Sequence, residues 1–296
     1  MHLTRRDFLL RLPLIPGVGR RTILNWWGWL VDAEIVRVTP TVLTRLLAAV
    51  PGETKQALAV RRHLFTPELG QRVRGNLQNC RAVTLADPAY PAQLREIYEP
   101  PVVLYYLGDW HHLTHPQLAV VGSRHPTPYA VRAMRQLLPE IVRQRVCIVS
   151  GLAQGVDTLS HQVAVAHRGA TIAVVGTGLG RCYPAGNRAL MTHLTQHHLV
   201  ISEYPWSQGP QKFQFVERNR LIAGLAQSLL VVEAAHHSGS LITANFALQE
   251  NRNVLAVPGP IDAPNSVGTN ELILAGAKPI LNSEHIIEEL LVDKRL

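Results

Sequence analysis

Ser150, Asp157 and His161 lie within twelve positions of one another in the stretch VSGLAQGVDTLSH, residues 149–161. A serine hydroxyl, a histidine that takes its proton and a carboxylate that orients the histidine are the parts of a hydrolytic triad. The spacing argues against that use. Ser150 ends an apolar, strand-like run and stands in no GxSxG elbow. Asp157 and His161 fall at i and i+4 of the helical segment that follows, where they can meet each other, and His161 would have to reach back across more than a helical turn to the serine. A hydroxyl just ahead of a helix is a cap or a phosphate contact. The segment reads as a loop that grips, with Asp157 and His161 bracing it from within the helix.

Three other strand-like runs also end in glycine turns: Gly122, then Gly176 with Gly178 and Gly180, and Gly239 in AAHHSGSLITA. Such turns let backbone N–H groups approach an anion, and the following helix ends favour negative charge. GTGLG alone is not a dinucleotide fingerprint, because the third glycine is missing and no acidic residue follows until Glu203. Arg124 stands directly after Gly122 and Ser123 and is the first choice for a ligand contact. In FVERNRLIAGL, Arg218 shares a helical face with Leu221, Ile222 and Leu225, whereas Arg220 shares one with Ala223 and Gly224. One of these two arginines is structural and the other faces the ligand; the pattern does not say which. Glu203 and Glu233, read as the ends of neighbouring strands, are the candidate internal partners.

The elements that must position these residues are legible between residues 118 and 282. LAVVGSR, VCIVSG, TIAVVGTG, LVISEY, SLLVVEA and NVLAVPG are near-continuous apolar runs, and helical patterns fall between them at 127–144, 155–168, 187–197, 215–226 and 239–251. This alternation predicts an α/β fold: an extended, Rossmann-like, doubly wound and mainly parallel sheet covered on both faces. Residues 1–80 differ, with 12 Lys or Arg against 5 Asp or Glu and helical spacing of the apolar positions, so a small all-helical domain comes first. The proline-punctuated stretch LADPAYPAQLREIYEPP sets the boundary at 85, giving domains 1–85 and 86–296. LIPGVGRRTILNWW reads equally as a helix-hairpin-helix element, with Gly17, Gly19, Arg20 and Arg21 beside a phosphate, or as a plain turn between helices. Trp26, Trp27 and Trp29 are core residues or base-stacking platforms.

Composition narrows the classes of function. The formal net charge is +8, and only four of the 29 basic residues are lysine, which suits planar contact with phosphate. Three scattered cysteines form no disulfide framework, the run after Arg5 and Arg6 is broken by Arg11, Pro13 and Pro16 and is no export signal, and no stretch reaches membrane-spanning length. A cytoplasmic protein without membrane contact is expected. The histidines at 111, 112 and 115, at 193, 197 and 198, and at 236 and 237 suggest metal, yet there is no HExxH, and a surface helix accounts for the His193–His197 pair. No metal and no cofactor are expected; His236 and His237 stand beside the SGS turn, where they can touch the pocket.

The ordered motifs VVGSR, VSGLAQGVDTLSH, VVGTGLGRCYPAGN, ISEYPW, RNRLIAGL, VVEAAHHSGSLITA, LAVPGPID and GTNELILAGAK resemble the DNA-processing protein A (DprA/Smf) family over nearly all of residues 86–282. The resemblance implies a homodimer that binds single-stranded DNA in a basic pocket and delivers it to the RecA recombinase during natural transformation, with no covalent chemistry and no catalytic residue. Carried over by motif, the DNA-binding residues are Gly122, Ser123, Arg124, Ser150, Gly151, Gly176, Thr177, Arg218, Asn219, Arg220, Gly239 and Ser240. Two positions depart from the family pattern. Val216 replaces a proline ahead of RNR, which bears on how that helix begins, and Ala185 replaces a basic residue, which Arg181 or Arg188 can supply. A C-terminal winged-helix domain carried by many members is not expected here. The alternative is an enzyme: a LOG-type phosphoribohydrolase releasing the base from a nucleoside monophosphate, with Glu233 or Glu203 as its acid.

Overall fold

The computed structural model describes residues 2–50 and 54–291. The chain divides into two units, Met1–Tyr105 with Glu203–Ser207, and Tyr106–Ser202 with Gln208–Leu296.

Helices dominate the first unit: Arg5–Arg11, Arg20–Asp32, Pro40–Ala49, Thr54–His63 and Pro67–Leu77, with a two-residue antiparallel pairing of Leu3–Thr4 on Arg37–Val38. Three helices start on threonine caps. Thr4 forms a reciprocal capping box with Asp7, and Thr39 and Thr66 cap helices whose first residue is proline. Phe8, Leu12, Trp26, Leu30, Leu46 and Leu64 make the core, so Trp26 is a packing residue. The unit runs past the expected boundary at 85. The segment beyond it folds back, with Leu85 N–H donating to Val102 O at 3.2 Å and Tyr90 Oη to Pro101 O at 2.6 Å. Arg20, which only the helix-hairpin-helix reading puts beside a phosphate, is tied to Glu99 at 3.0 Å and Glu203 at 3.4 Å.

The second unit is the doubly wound α/β domain. Its strands are β1 (Gln117–Val121), β2 (Cys147–Ser150), β3 (Thr171–Val175), β4 (Leu199–Ser202), β5 (Ser228–Val231), β6 (Asn253–Ala256) and β7 (Lys278–Pro279). All are parallel, in the order β7-β6-β5-β1-β2-β3-β4. The first five are buried at every position, which is why their sequences run apolar without alternation. The helices are α1 (Pro128–Arg143), α2 (Val156–Ala166), α3 (Arg188–His197), α4 (Lys212–Leu225), α5 (Gly239–Gln249), α6 (Val267–Leu274) and α7 (Ser283–Leu291). Met134, Leu137 and Ile141 of α1 join Leu118, Ile148, Leu230 and Ile286 in one core layer. On the other face α4 lies over β1, β2 and β3, and α5 over β5 and β6.

Helix α4 begins three residues before the expected start at 215. Gln211 and Gln214 cap each other's backbone there, the Gln211 N–H donating to Gln214 Oε1 at 2.9 Å. Val216 therefore lies in the second turn and does not mark the helix start. The chain winds outward from β1 in one direction and continues from β5 in the other. Strand order reverses between these two neighbours, where crevices form at the strand C-termini of such sheets. Glu203 and Glu233 follow β4 and β5, which lie at a distance in this order and not side by side. Among the described residues no helix is long and apolar enough to cross a membrane.

Candidate nucleic-acid interface

A cleft of about 650 Å³ opens at the reversal point, a size common for ligand sites. The ends of β1 and of its loop supply Val121, Gly122, Ser123 and Arg124; α4 supplies Lys212, Phe215, Arg218 and Asn219; the start of α5 supplies Ser238, Gly239 and Ser240. Of the residues expected from sequence, Ser150, Gly151, Gly176, Thr177 and Arg220 lie behind this lining.

Their roles are internal. Fully buried Ser150 donates through Oγ to Val120 O at 2.7 Å. The Gly151 N–H donates to Asp157 Oδ2 at 3.1 Å and that of Ala153 at 3.4 Å, so these donors are already taken. From the opposite face of the sheet, the Arg218 guanidinium donates to the carbonyls of Gly151 and Val174. A side chain at Gly151 would collide with that guanidinium, so this glycine makes room for an arginine and not for a phosphate. Gly122 and Gly176 likewise admit neighbours, Val156 and the Phe215 ring. Thr177 donates to Arg181 O at 2.8 Å and its own carbonyl accepts from Ser202 Oγ at 2.6 Å. Burial raises the Asp157 carboxyl above the usual range, while Arg218 and the N–H groups of Ala153 and Gly151 pull it down. Arg218 is thus bonded from within while also lining the cleft, and its charge acts on Asp157. Arg220 is 4% exposed and is not among the residues that line the cleft.

His161 does not meet Asp157 or Ser150. Its Nδ1 donates to Thr171 Oγ1 at 2.7 Å, the hydroxyl passing its own hydrogen to Ile148 O, and the ring pins β2 to β3 rather than bracing the loop. Burial, with His198 and Arg218, pushes its pKa down to about 3. Below the unfolded value of about 6.5, the unfolded chain takes a proton that the native ring refuses, so stability falls as pH drops. At pH 5 the cost is on the order of 2 kcal/mol. Melting temperatures between pH 7 and pH 5 should fall less for His161→Asn than for the native chain. Equal slopes would remove His161 as the cause.

The cleft's cationic character comes from Arg124 and Lys212. Both are exposed, and neither side chain bonds to any described residue. Between them Tyr183 and Phe215 pair with centroids 5.2 Å apart, Tyr183 being 50% exposed. Lys212, Phe215, Tyr183 and Ser238 were not singled out by sequence. Lys212, Phe215, Asn219 and Ile222 fall at i, i+3, i+7 and i+10 and form one stripe, visible once the helix is started at the Gln211 cap. Arg181 and Arg188 are exposed outside the lining.

Helix α5 presents its N-terminus to the cleft; its N-cap residue Ser238 makes no side-chain cap to the helix N–H groups, and its buried Oγ has no partner among the described residues. This is an anion site by dipole and by orphan donors. Nothing stands within 4 Å of the position a Gly239 Cβ would take, so the approach is open. Helix α2 is closed to anions, because its Val156 N–H donates to Ser123 O at 3.1 Å. That contact needs Gly155, whose φ is +85° and whose added Cβ would strike Ser123 O and sit 2.6 Å from Arg124 C. Gly155→Ala should cost about 1–3 kcal/mol and displace the Arg124 loop. Chemical denaturation alongside ligand binding checks both; an unaltered affinity would show that the loop does not position Arg124.

The remaining titratable groups lie elsewhere. His111, His112 and His115 join His193, His197 and His198 at the opposite edge of the sheet, with rings of His112 and His198 stacked at 5.7 Å and those of His193 and His197 at 4.8 Å. The His193–His197 pair is therefore part of a six-ring cluster rather than an isolated surface pair. Among the described residues no three His, Cys, Asp or Glu side chains are set to hold a metal ion. His236 pairs with Glu271 at 2.9 Å, and neither it nor His237 lines the cleft. Glu233 is 2% exposed, with both carboxylate oxygens accepting from Thr127, its N–H at 2.9 Å and its hydroxyl. Glu203 is held by Arg20. Neither glutamate is among the residues that line the cleft.

Comparison with known proteins agrees with this architecture. A DNA processing protein DprA of Bacillus subtilis is 37% identical over 272 residues, covering 90% of this chain and 89% of that protein. The crystal structure of a DprA from Streptococcus pneumoniae superposes with a TM-score of 0.88 at 33% identity, covering 97% of this chain and 99% of the other. A DNA processing protein A from Helicobacter pylori, whose single-stranded DNA binding mode has been described structurally, gives a TM-score of 0.65 at 32% identity over 72% of this chain and 97% of its own. The profile of the family described as DNA recombination-mediator protein A matches residues 81–291, and the chain belongs to that family.

Proposed function

We propose that the protein is a single-stranded-DNA-binding recombination mediator that performs no covalent chemistry. It holds incoming strands in the cytoplasm during natural transformation, shields them, and helps to load RecA. The observation that carries this reading is the joining of two uncommitted cations, Arg124 and Lys212, to an aromatic pair, Tyr183 and Phe215, inside one cleft. Cations of that kind grip phosphates and the rings offer a stacking platform to any base, which suits a strand bound without sequence preference. The N-terminus of α5 adds a third anion contact, and the Helicobacter pylori relative makes the ligand class the natural one. A duplex keeps its bases inside and is too wide for the same crevice. Exposed Ile242, Leu248 and Leu274 on α5 and α6 support a homodimer formed through those helices.

Fluorescence anisotropy of a labelled oligonucleotide, single-stranded and then duplex, across a salt series tests the proposal. Single strands should bind more tightly than duplex of the same length, with an affinity that falls steeply with salt. Equal affinities with a flat salt response would sink it. RecA filaments should also assemble faster on protein-coated single strands when this protein is added.

A further inference from the structure

The positive charge of this chain is not concentrated where the cleft is. The first unit holds fourteen Lys and Arg against nine Asp and Glu, while the larger second unit holds fifteen against twelve. Apart from Arg21, Arg37, Arg45 and Arg81, which are exposed and scattered along the chain, the cations of the first unit fall into two groups. Arg5 donates to Ile35 O at 2.6 Å, Arg6 to Asp87 at 3.1 Å, Arg11 to Leu64 O at 2.8 Å, Arg20 to Glu99 at 3.0 Å and Arg95 to Leu85 O at 2.8 Å. These five hold the fold. Lys55, Arg61, Arg62, Arg72 and Arg74 are exposed, and their side chains make no hydrogen bond or ion pair with any described residue.

The second group lies on two consecutive helices, Thr54–His63 and Pro67–Leu77, whose only described carboxylate is Glu68. On the first of them Lys55, Leu58 and Arg62 fall at i, i+3 and i+7, with Arg61 beside them, so the cations follow one solvent face. On the second, Arg74 Nη1 and Arg11 Nη2 crowd the open side of Gly70, 3.5 and 2.9 Å from where a Cβ would stand. Arg11 also donates to the carbonyls of Leu64 and Thr66, which fixes the link between the two helices. Asp7 also acts on Arg11, so the charge free to meet an anion is that of the exposed cations Lys55, Arg61, Arg62, Arg72 and Arg74.

We infer that these two helices form a second nucleic-acid surface, separate from the cleft, that reads the phosphate backbone without regard to sequence or base pairing. Four of the five cations are arginine, whose planar fork matches phosphate. They are spread over the exposed positions of two consecutive helices, which suits a polyanion rather than a small anion. Leu58 is the one large apolar side chain exposed on these two helices, too little to insert into a lipid surface. The inference takes its ligand class from the single-strand reading above, but it concerns different residues and a different substrate preference: duplex should bind here as well.

The full chain carrying Arg61→Gln, Arg62→Gln, Arg72→Gln and Arg74→Gln tests it, next to Arg124→Ala and the native protein, by anisotropy on single-stranded and duplex oligonucleotides over a salt series. Each lost phosphate contact lowers the slope of log K against log salt by about 0.7 on single strands and about 0.9 on duplex. The fourfold variant should lose at least two units of slope on duplex and bind it at least tenfold more weakly, with an unchanged melting temperature. Arg124→Ala should weaken single-strand binding and leave duplex binding as it was. Unchanged duplex affinity and slope in the fourfold variant overturn the second surface, and the cleft stands if Arg124→Ala still weakens single strands. The converse result overturns the cleft and leaves the second surface. Absence of duplex binding by the native protein overturns the inference outright.

Discussion

Replacing Arg124 by alanine is expected to weaken single-stranded DNA binding by about tenfold to a hundredfold, roughly 1.5–3 kcal/mol for a lost charge-assisted contact. Melting temperature should not change. The reason for that separation is structural: the Arg124 side chain is exposed on the cleft and engages no described residue, so folding does not depend on it. The backbone beneath it is fixed by the Ser123 carbonyl on the Val156 N–H. Arg124→Lys keeps the charge but loses the fork, and should recover part of the affinity. Titration of a labelled single strand with native and variant protein, with a thermal melt of each, is the required measurement. A variant that binds like the native chain would remove the cleft from consideration.

Replacing Arg218 by alanine should act in the opposite way, on stability first. The substitution leaves Asp157 buried without its cation and strips the donor from the carbonyls of Gly151 and Val174. Losing a buried cation whose charge acts on Asp157, with two buried carbonyls left short of a donor, costs about 3–5 kcal/mol, and in a domain of this size the melting temperature should fall by on the order of 10 °C. Asp157→Asn, which can still accept from the Gly151 N–H, should cost less. Single-strand binding should be lost only in proportion to unfolding. Urea denaturation separates the cases: a variant that keeps its stability and loses affinity would return Arg218 to the ligand.

The two predictions show where the sequence was informative. The parallel sheet was legible because strands buried on both faces must be apolar throughout, and glycine turns at their ends marked the edge carrying the cleft. Arg124 was legible because it follows a strand-end glycine directly, with no choice of face to make. The arginines of RNR were not separable, because a helical face says which residues point inward and not whether inward means a cleft or a carboxylate. Gly151 misled for a related reason. Absence of a side chain records that something comes close, and here the visitor is a guanidinium arriving from another helix 67 residues along the chain. Lys212 and the Tyr183–Phe215 pair needed the helix start and a contact between distant segments. The stretch after residue 85 reads as a linker from its prolines, whereas Tyr90, Leu94 and Ile97 within it are buried.

The floor of the cleft is already occupied by its own bonds: Asp157 on two amides, Arg218 on two carbonyls, Ser150 on a third. A ligand arriving there therefore has little left to order. The entropy lost on binding is confined to a few rim side chains, Arg124, Lys212 and Tyr183, and the rest of the site is preorganised. Structures with and without a bound strand should then share one backbone at the sheet edge, differing in rotamers at the rim, and affinity should be tuned there by residues that folding leaves alone.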